Sequence, residues 1–300
     1  MAEGRKLRDP GASARARLLN LARQRRQPLD LLLTRFVLER LLYRLSISPH
    51  RSRFLLKGAI LLATWLPDPY RPTRDLDLLG FGDPSPESLL QVFCEILAAV
   101  PAVDDGVAFD AGNLRIDPIR EAQEYGGLRL RTIATIAGAR VNVVVDVGFG
   151  DALEPGAEEV ELPVLLNLPA PRLRAYARET VVAEKFQAMV VLGRANSRMK
   201  DFYDIWLLIG THDLAPERLA RAISATFARR RTPIPSEVPD ALSPEFALGE
   251  AKRRQWAAFV EGLAVEPGSL EDVVRDLREF LMPAVDAAMH FPSGQRPKIG

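Results

Sequence analysis

Leucines recur at helical spacing twice before residue 50, at 18, 19 and 21 and then at 31, 32, 38, 41 and 42, which predicts helices over 12–26 and 29–45. Pro28 stands where a first helical turn tolerates a missing N–H. An apolar run from Phe54 to Leu66 follows, and Lys57-Gly58-Ala59 is read as the opening of a helix that ends near Pro67. From Arg71 to Gly80 the pattern alternates with a period of two, as a strand does. Ser85-Pro86-Glu87 supplies a cap and a first-turn proline for an amphipathic helix running to Ala99. Three strands are expected over 113–119, 127–136 and 140–149, the last two joined by an Ala137-Gly138 hairpin turn. Pro163 to Pro171 reads as an extended crossing between lobes. Beyond it the pattern is helical, near 178–194, 199–211, 215–229, 244–262 and 269–290, and a Pro/Gly/basic tail at 292–300 is expected to be disordered.

This order suggests an N-terminal α+β part over 1–165, a helical part over 166–291 and the tail. No apolar run reaches the roughly 20 residues of a membrane span, and the arginine-bearing N-terminus lacks an apolar segment of the signal-peptide kind, so a cytoplasmic protein with no membrane partner is expected. The single cysteine, Cys94, lies in an apolar segment and reads as core; three histidines and no cysteine pair argue against structural zinc.

Charge changes the picture along the chain. Residues 1–53 hold 13 Lys/Arg against 4 Asp/Glu, a net of +9, whereas residues 54–170 hold 8 against 18, a net of −10. A basic front beside an acidic middle suits a polyanionic substrate, and equally suits an ordinary solvated helix face.

In Arg71-Pro72-Thr73-Arg74-Asp75-Leu76-Asp77-Leu78, a period of two puts Asp75 and Asp77 on one strand face, their Cα atoms about 6.5–7 Å apart, within the span over which two carboxylates converge on one hard cation. A third carboxylate, Asp146, interrupts Val143-Val144-Val145-Asp146-Val147, where it has no evident partner and an unpaired buried charge is costly. Lys57-Gly58 lies upstream, with a glycine that permits close backbone approach to a phosphate. Lys185 shares a helix stripe with Val182, Phe186 and Met189, and either snorkels to water or reaches an anion. Asp201 and Asp204, one helical turn apart, can fix Lys185 or a nucleotide, or serve only as first-turn partners of the helix dipole.

These residues resemble the AbiEii/AbiGii toxin family of nucleotidyltransferases, a branch of the polymerase-beta-like superfamily. The likeness is carried by Phe54 to Ala59, Arg71 to Asp77, Val145 to Asp151, Glu179 to Lys185, and Lys200-Asp201-Phe202-Tyr203-Asp204. It implies an α+β fold, a mixed-sheet nucleotidyltransferase lobe with N-terminal helices followed by an α-helical lobe. It implies Asp75, Asp77 and Asp146 as metal ligands for Mg2+ or Mn2+, and Lys57, Gly58, Thr73, Arg74 and Lys185 as nucleotide-binding. The family's late catalytic aspartate falls on Asp201 or Asp204. The implied activity is that of a toxin of a toxin–antitoxin or phage-defence pair, moving nucleotides from an NTP to RNA, foremost the 3′ end of tRNA, with a cognate antitoxin as partner. A protein or small-molecule hydroxyl is the alternative acceptor, and a non-catalytic nucleotide-binding module the reading from another class.

Overall fold

The computed structural model describes residues 9–66, 71–119 and 127–291; the expected tail at 292–300, Pro67 and the first eight residues of the basic front lie outside them. The chain forms two compact units. The first comprises residues 1–64, 72–150 and 159–175, and the second comprises 65–71, 151–158 and 176–300.

The first unit is built on a mixed sheet. Its strands are β1 (Phe54–Lys57), β2 (Leu76–Gly80), β3 (Val107–Phe109), β4 (Arg115–Pro118), β5 (Leu128–Ile136), β6 (Ala139–Phe149), β7 (Ala157–Glu161) and β8 (Arg172–Tyr176). They run in the order β3-β5-β6-β2-β1-β8-β7, with β4 also on β5. The β5–β6 hairpin turns where expected: Ala137 and Gly138 both have positive φ, 44° and 77°, the pairing a two-residue type I′ turn requires. Alternation then sets the core. Val141, Val143, Val145 and Val147 of β6 are buried, as are Leu128, Leu130 and Ile136 of β5 and Leu76 and Leu78 of β2. Burying each such side chain contributes about 1.5–3 kcal/mol.

Two expectations from the sequence are corrected here. The helix expected to open at Lys57-Gly58-Ala59 does so, as α3 (Gly58–Leu62), but it ends at Leu62, well short of Pro67, and the Phe54–Lys57 run before it is strand β1, antiparallel to β2. A short, fully apolar run carries no periodicity that separates strand from helix, so pairing with a neighbour decides it. The strand expected from Arg71 begins only at Leu76. Pro72 has no N–H to give a ladder, and the Thr73 hydroxyl bonds the side chain of Asp75 at 2.9 Å, a local alternative to pairing. Asp75 therefore precedes the strand, and its orientation is set by Thr73 rather than by the pleat.

Helices α1 (Pro10–Arg25), α2 (Leu29–Ile47) and α4 (Pro86–Ala98) complete this unit. Ser85 caps α4 as expected. Much of the basic charge of α2 is consumed internally. Arg44 is buried and grips Asp105 with both terminal nitrogens, at 2.8 and 3.0 Å. Arg40, also buried, donates to the Pro169 carbonyl at 3.0 Å, and Arg35 bonds Glu39 at 3.1 Å. Glu39 in turn accepts the Leu165 N–H at 3.0 Å. The segment 163–171 thus connects β7 to β8 within the first unit, tied to α2 through these bonds, instead of crossing between lobes.

The second unit is helical: α5 (Arg178–Leu192), α6 (Met199–Thr211), α7 (Pro216–Arg229), α8 (Pro244–Leu248), α9 (Glu250–Val260) and α10 (Leu270–Ala288). Gly249 divides the single helix expected over 244–262 into two. Phe186 of α5 meets Phe227 of α7 with ring centroids 5.5 Å apart, and Phe202 of α6 stacks on Phe246 of α8 at 5.4 Å. Val182, Phe186 and Met189, the apolar stripe read around Lys185, are all buried. Among the described residues, no helix is long and apolar enough to cross a membrane.

Candidate active site

In the first unit, strand register places four charged residues side by side. Lys57 on β1 is the Cα partner of Asp77 on β2, Asp77 is the partner of Asp146 on β6, and Asp146 is the partner of Arg129 on β5. Residues opposite one another on adjacent strands project from the same face. The result is a row of cation, anion, anion and cation across four strands. All four are half-buried, and Leu56, Leu78, Val147 and Leu128 occupy the other face as core.

Asp146 is not a carboxylate without a partner, as its sequence neighbourhood suggests. Arg129 holds it with a two-pronged bond, Nε to Oδ1 at 2.7 Å and Nη2 to Oδ2 at 2.6 Å. Nothing local predicts this contact, because the two residues meet only through the β5–β6 register.

Gly58 owes its identity to Asp77. Its φ is +73°, and a Cβ added there would lie 1.9 Å from Oδ2 of Asp77. The strand-to-helix turn after Lys57 therefore brings bare backbone against that carboxylate, which only glycine permits. Thr73 is half-buried and donates to Asp75. Arg74 is mostly exposed, paired across 3.3 Å with Asp30. Hence Lys57, Gly58, Asp77 and Asp146 come together with Arg129, Thr73 and Asp75 pair just before β2, and Arg74 lies on the surface.

The donor chemistry fits a hard divalent cation: carboxylate oxygens of Asp77 and Asp146 on adjoining strands, with Asp75 two residues upstream. The space a Cβ would take at Gly58 is filled by the Asp77 carboxylate itself. Among the described residues no group of three or more His, Cys, Asp or Glu side chains is gathered tightly enough to hold a metal, and both Asp146 oxygens are engaged by Arg129.

The second unit gathers a different quartet. Lys185 on α5 donates to Asp201 Oδ1 and to Asp204 Oδ2 on α6, both at 2.7 Å. Arg71 grips the same Asp204 with Nε and Nη2, both at 2.7 Å. The one-turn spacing of Asp201 and Asp204 thus serves to fix Lys185, as the sequence allows, and Lys185 does not snorkel. No local signal marks Arg71, whose partner is 133 residues away. Asp204 is fully buried. Burial alone would push its carboxyl up, but the charges of Lys185 and Arg71 and their hydrogen bonds outweigh it and hold the group well below the usual carboxylate range. Burial likewise disfavours the Lys185 ammonium, and the two aspartates more than compensate, raising it above an ordinary lysine.

A family model described as "Nucleotidyl transferase AbiEii toxin, Type IV TA system" matches residues 40–290. The span includes every candidate residue named above, from Lys57 to Asp204. Two Helicobacter pylori crystal structures are similar. One, described only as a candidate nucleotidyltransferase, has 14% identity and a TM-score of 0.49, covering 86% of this chain and 96% of that one. The other, JHP933, has 15% identity and a TM-score of 0.48, covering 86% and 93%. No curated protein matches. With a family match that runs through both units and all of the candidate motifs, the chain belongs to the AbiEii nucleotidyl transferase toxins of type IV toxin–antitoxin systems.

Proposed function

We propose that this toxin transfers nucleotides from an NTP to an RNA acceptor, foremost the 3′ end of tRNA, and so blocks translation. The observation that carries the catalytic part is the in-register pair Asp77 and Asp146 beside the bare backbone of Gly58. Asp75, Asp77 and Asp146 are the residues to hold Mg2+ or Mn2+. When bound there, a divalent cation neutralises triphosphate charge and lowers the pKa of the attacking hydroxyl. Gly58 lets backbone approach the triphosphate, Lys57 and Arg74 supply positive charge toward it, and Thr73 orients Asp75 through its 2.9 Å bond. Lys185 contributes to nucleotide use, held in one orientation by Asp201 and Asp204. In the transfer, the acceptor hydroxyl gives up its proton to water and its oxygen bonds to the α-phosphorus as the bond to the bridging oxygen breaks and pyrophosphate leaves.

The RNA acceptor is supported by the cationic surface of α1, where Arg15, Arg17, Arg23 and Arg26 are exposed at or next to the helix while α2 spends its arginines internally. The test is incubation of the protein with Mg2+, each labelled NTP and total tRNA. Label should enter RNA with the wild type and not with Asp75→Ala. Label in protein or in a small product instead would move the acceptor to those hydroxyls, and no label in any fraction would defeat the transfer reading.

A further inference from the structure

Arg129 holds Asp146 with a two-pronged bond, and Asp146 stands in register beside Asp77. We infer that Arg129 is a resident counter-cation: it neutralises the third carboxylate and competes with a divalent cation for Asp146. The inference rests on the proposed metal-binding role of Asp77 and Asp146, and adds to it a residue that tunes how readily the site loads.

The geometry gives the reason. Two carboxylates on neighbouring strands, about 5 Å apart at their backbones, repel each other. Arg129 relieves that repulsion by taking one oxygen of Asp146 with each prong, at 2.7 and 2.6 Å. A guanidinium so placed has two effects on an incoming cation. It occupies the carboxylate lone pairs that face it, leaving fewer for a metal, and its own charge opposes a second positive charge nearby. Partial exposure matters as well: Arg129 is 35% exposed and Asp146 16%. The pair can therefore separate at much smaller desolvation cost than the buried Arg71–Asp204 pair, whose side chains are 8% and 0% exposed. Arginine rather than lysine suits the role, because its planar fork matches both carboxylate oxygens at once.

The experiment uses the full chain and Mn2+ alone, with free Mn2+ counted by electron paramagnetic resonance. Wild type should bind, and Asp77→Asn should lose binding; if Asp77→Asn binds as wild type does, the metal-site reading itself fails and this inference with it. Given that control, Arg129→Gln should bind Mn2+ about fivefold tighter or more. Its metal-free melting temperature should fall while the rise in melting temperature on adding Mn2+ grows. Unchanged or weaker Mn2+ binding by a folded Arg129→Gln, with Asp77→Asn inactive in binding, overturns the counter-cation role and leaves Arg129 structural. Should Arg129→Gln not fold, Arg129→Lys decides: without the fork that takes both Asp146 oxygens it should bind Mn2+ about twofold tighter or more, and unchanged or weaker binding overturns the role.

Discussion

Two quartets of the same composition, each with two cations and two aspartates, have been put to different use. In the row Lys57, Asp77, Asp146 and Arg129, the carboxylates stand side by side, half-exposed, with the cations at the outside. In the cluster Arg71, Asp204, Lys185 and Asp201, cations and anions alternate, every aspartate is bonded to Lys185, and Asp204 is removed from water entirely. The lesson lies in the order of charges and the access of water. Alternating charges in a low-dielectric interior neutralise one another and fix geometry, whereas adjacent like charges near the surface retain an appetite for a further cation. On the proposed reading, the buried quartet positions and the open row binds.

The largest expected effect separates them by activity. Asp77→Asn should reduce nucleotide transfer by about 10³-fold or more while leaving the melting temperature within a few degrees of wild type, because removing one of two adjacent like charges relieves repulsion. Radiolabel incorporation measured beside thermal unfolding checks this, and a parallel loss of fold would place Asp77 with the structural cluster instead.

Asp204→Asn, unlike Asp77→Asn, should cost stability as well as transfer. It strips the shared partner from Lys185 and Arg71, leaving buried positive charge, at a cost of about 3–5 kcal/mol in urea unfolding. Because the folded carboxyl lies below its unfolded value, its stabilisation is present above about pH 4 and is lost as the pH falls below that. The acid limb of the stability curve should accordingly flatten in the variant, and a limb as steep as wild type's would assign acid sensitivity elsewhere.

Glu39 sharpens the comparison from the other side. It too is a buried carboxylate, but burial pushes it up to about 7, against the opposing charge and bond of Arg35, the Leu165 N–H and the charge of Arg40. Arg40 lies next to it in sequence yet turns its guanidinium to Pro169, so among the described residues Glu39 is bonded by one cation, Arg35, where Asp204 is bonded by both Arg71 and Lys185. A folded state that binds the proton more tightly than the unfolded chain loses stability as pH rises from about 4.5 to about 7. That loss amounts to up to about 3 kcal/mol. Glu39→Gln should remove the slope over this window in urea midpoints, and a slope that persists would show that another group titrates.

The smallest of the expected effects concerns Gly58. Ala at φ +73° costs about 1–2 kcal/mol in backbone strain, with more for the displaced Asp77 carboxylate. Transfer should fall at least about tenfold, because the residue displaced is a proposed ligand. Full activity in Gly58→Ala would show that the row tolerates movement.

Local pattern was legible where one element's own periodicity suffices. The amphipathic helices α4, α7 and α10, the β5–β6 hairpin with its Ala137-Gly138 turn, and the coincidence of Asp201 and Asp204 with Lys185 could all be read from spacing. Strands β1, β3, β7 and β8 could not. They are three to five residues long, too short for two periods to be told apart, and are strands because a neighbour pairs with them.

By itself, the sequence determined the candidates: which carboxylates, lysines and glycines stand in the family's order, and that Asp77 and Leu78 face opposite ways. Only the tertiary structure decided their partners. Asp146 meets Arg129, Asp204 meets Arg71 and Gly58 meets Asp77 through strand register or contacts across as many as 133 residues. Residue spacing carries the direction of a side chain within its own element, but its electrostatic surroundings come from whichever elements fold against it, and those surroundings distinguish a charge that binds from a charge that holds.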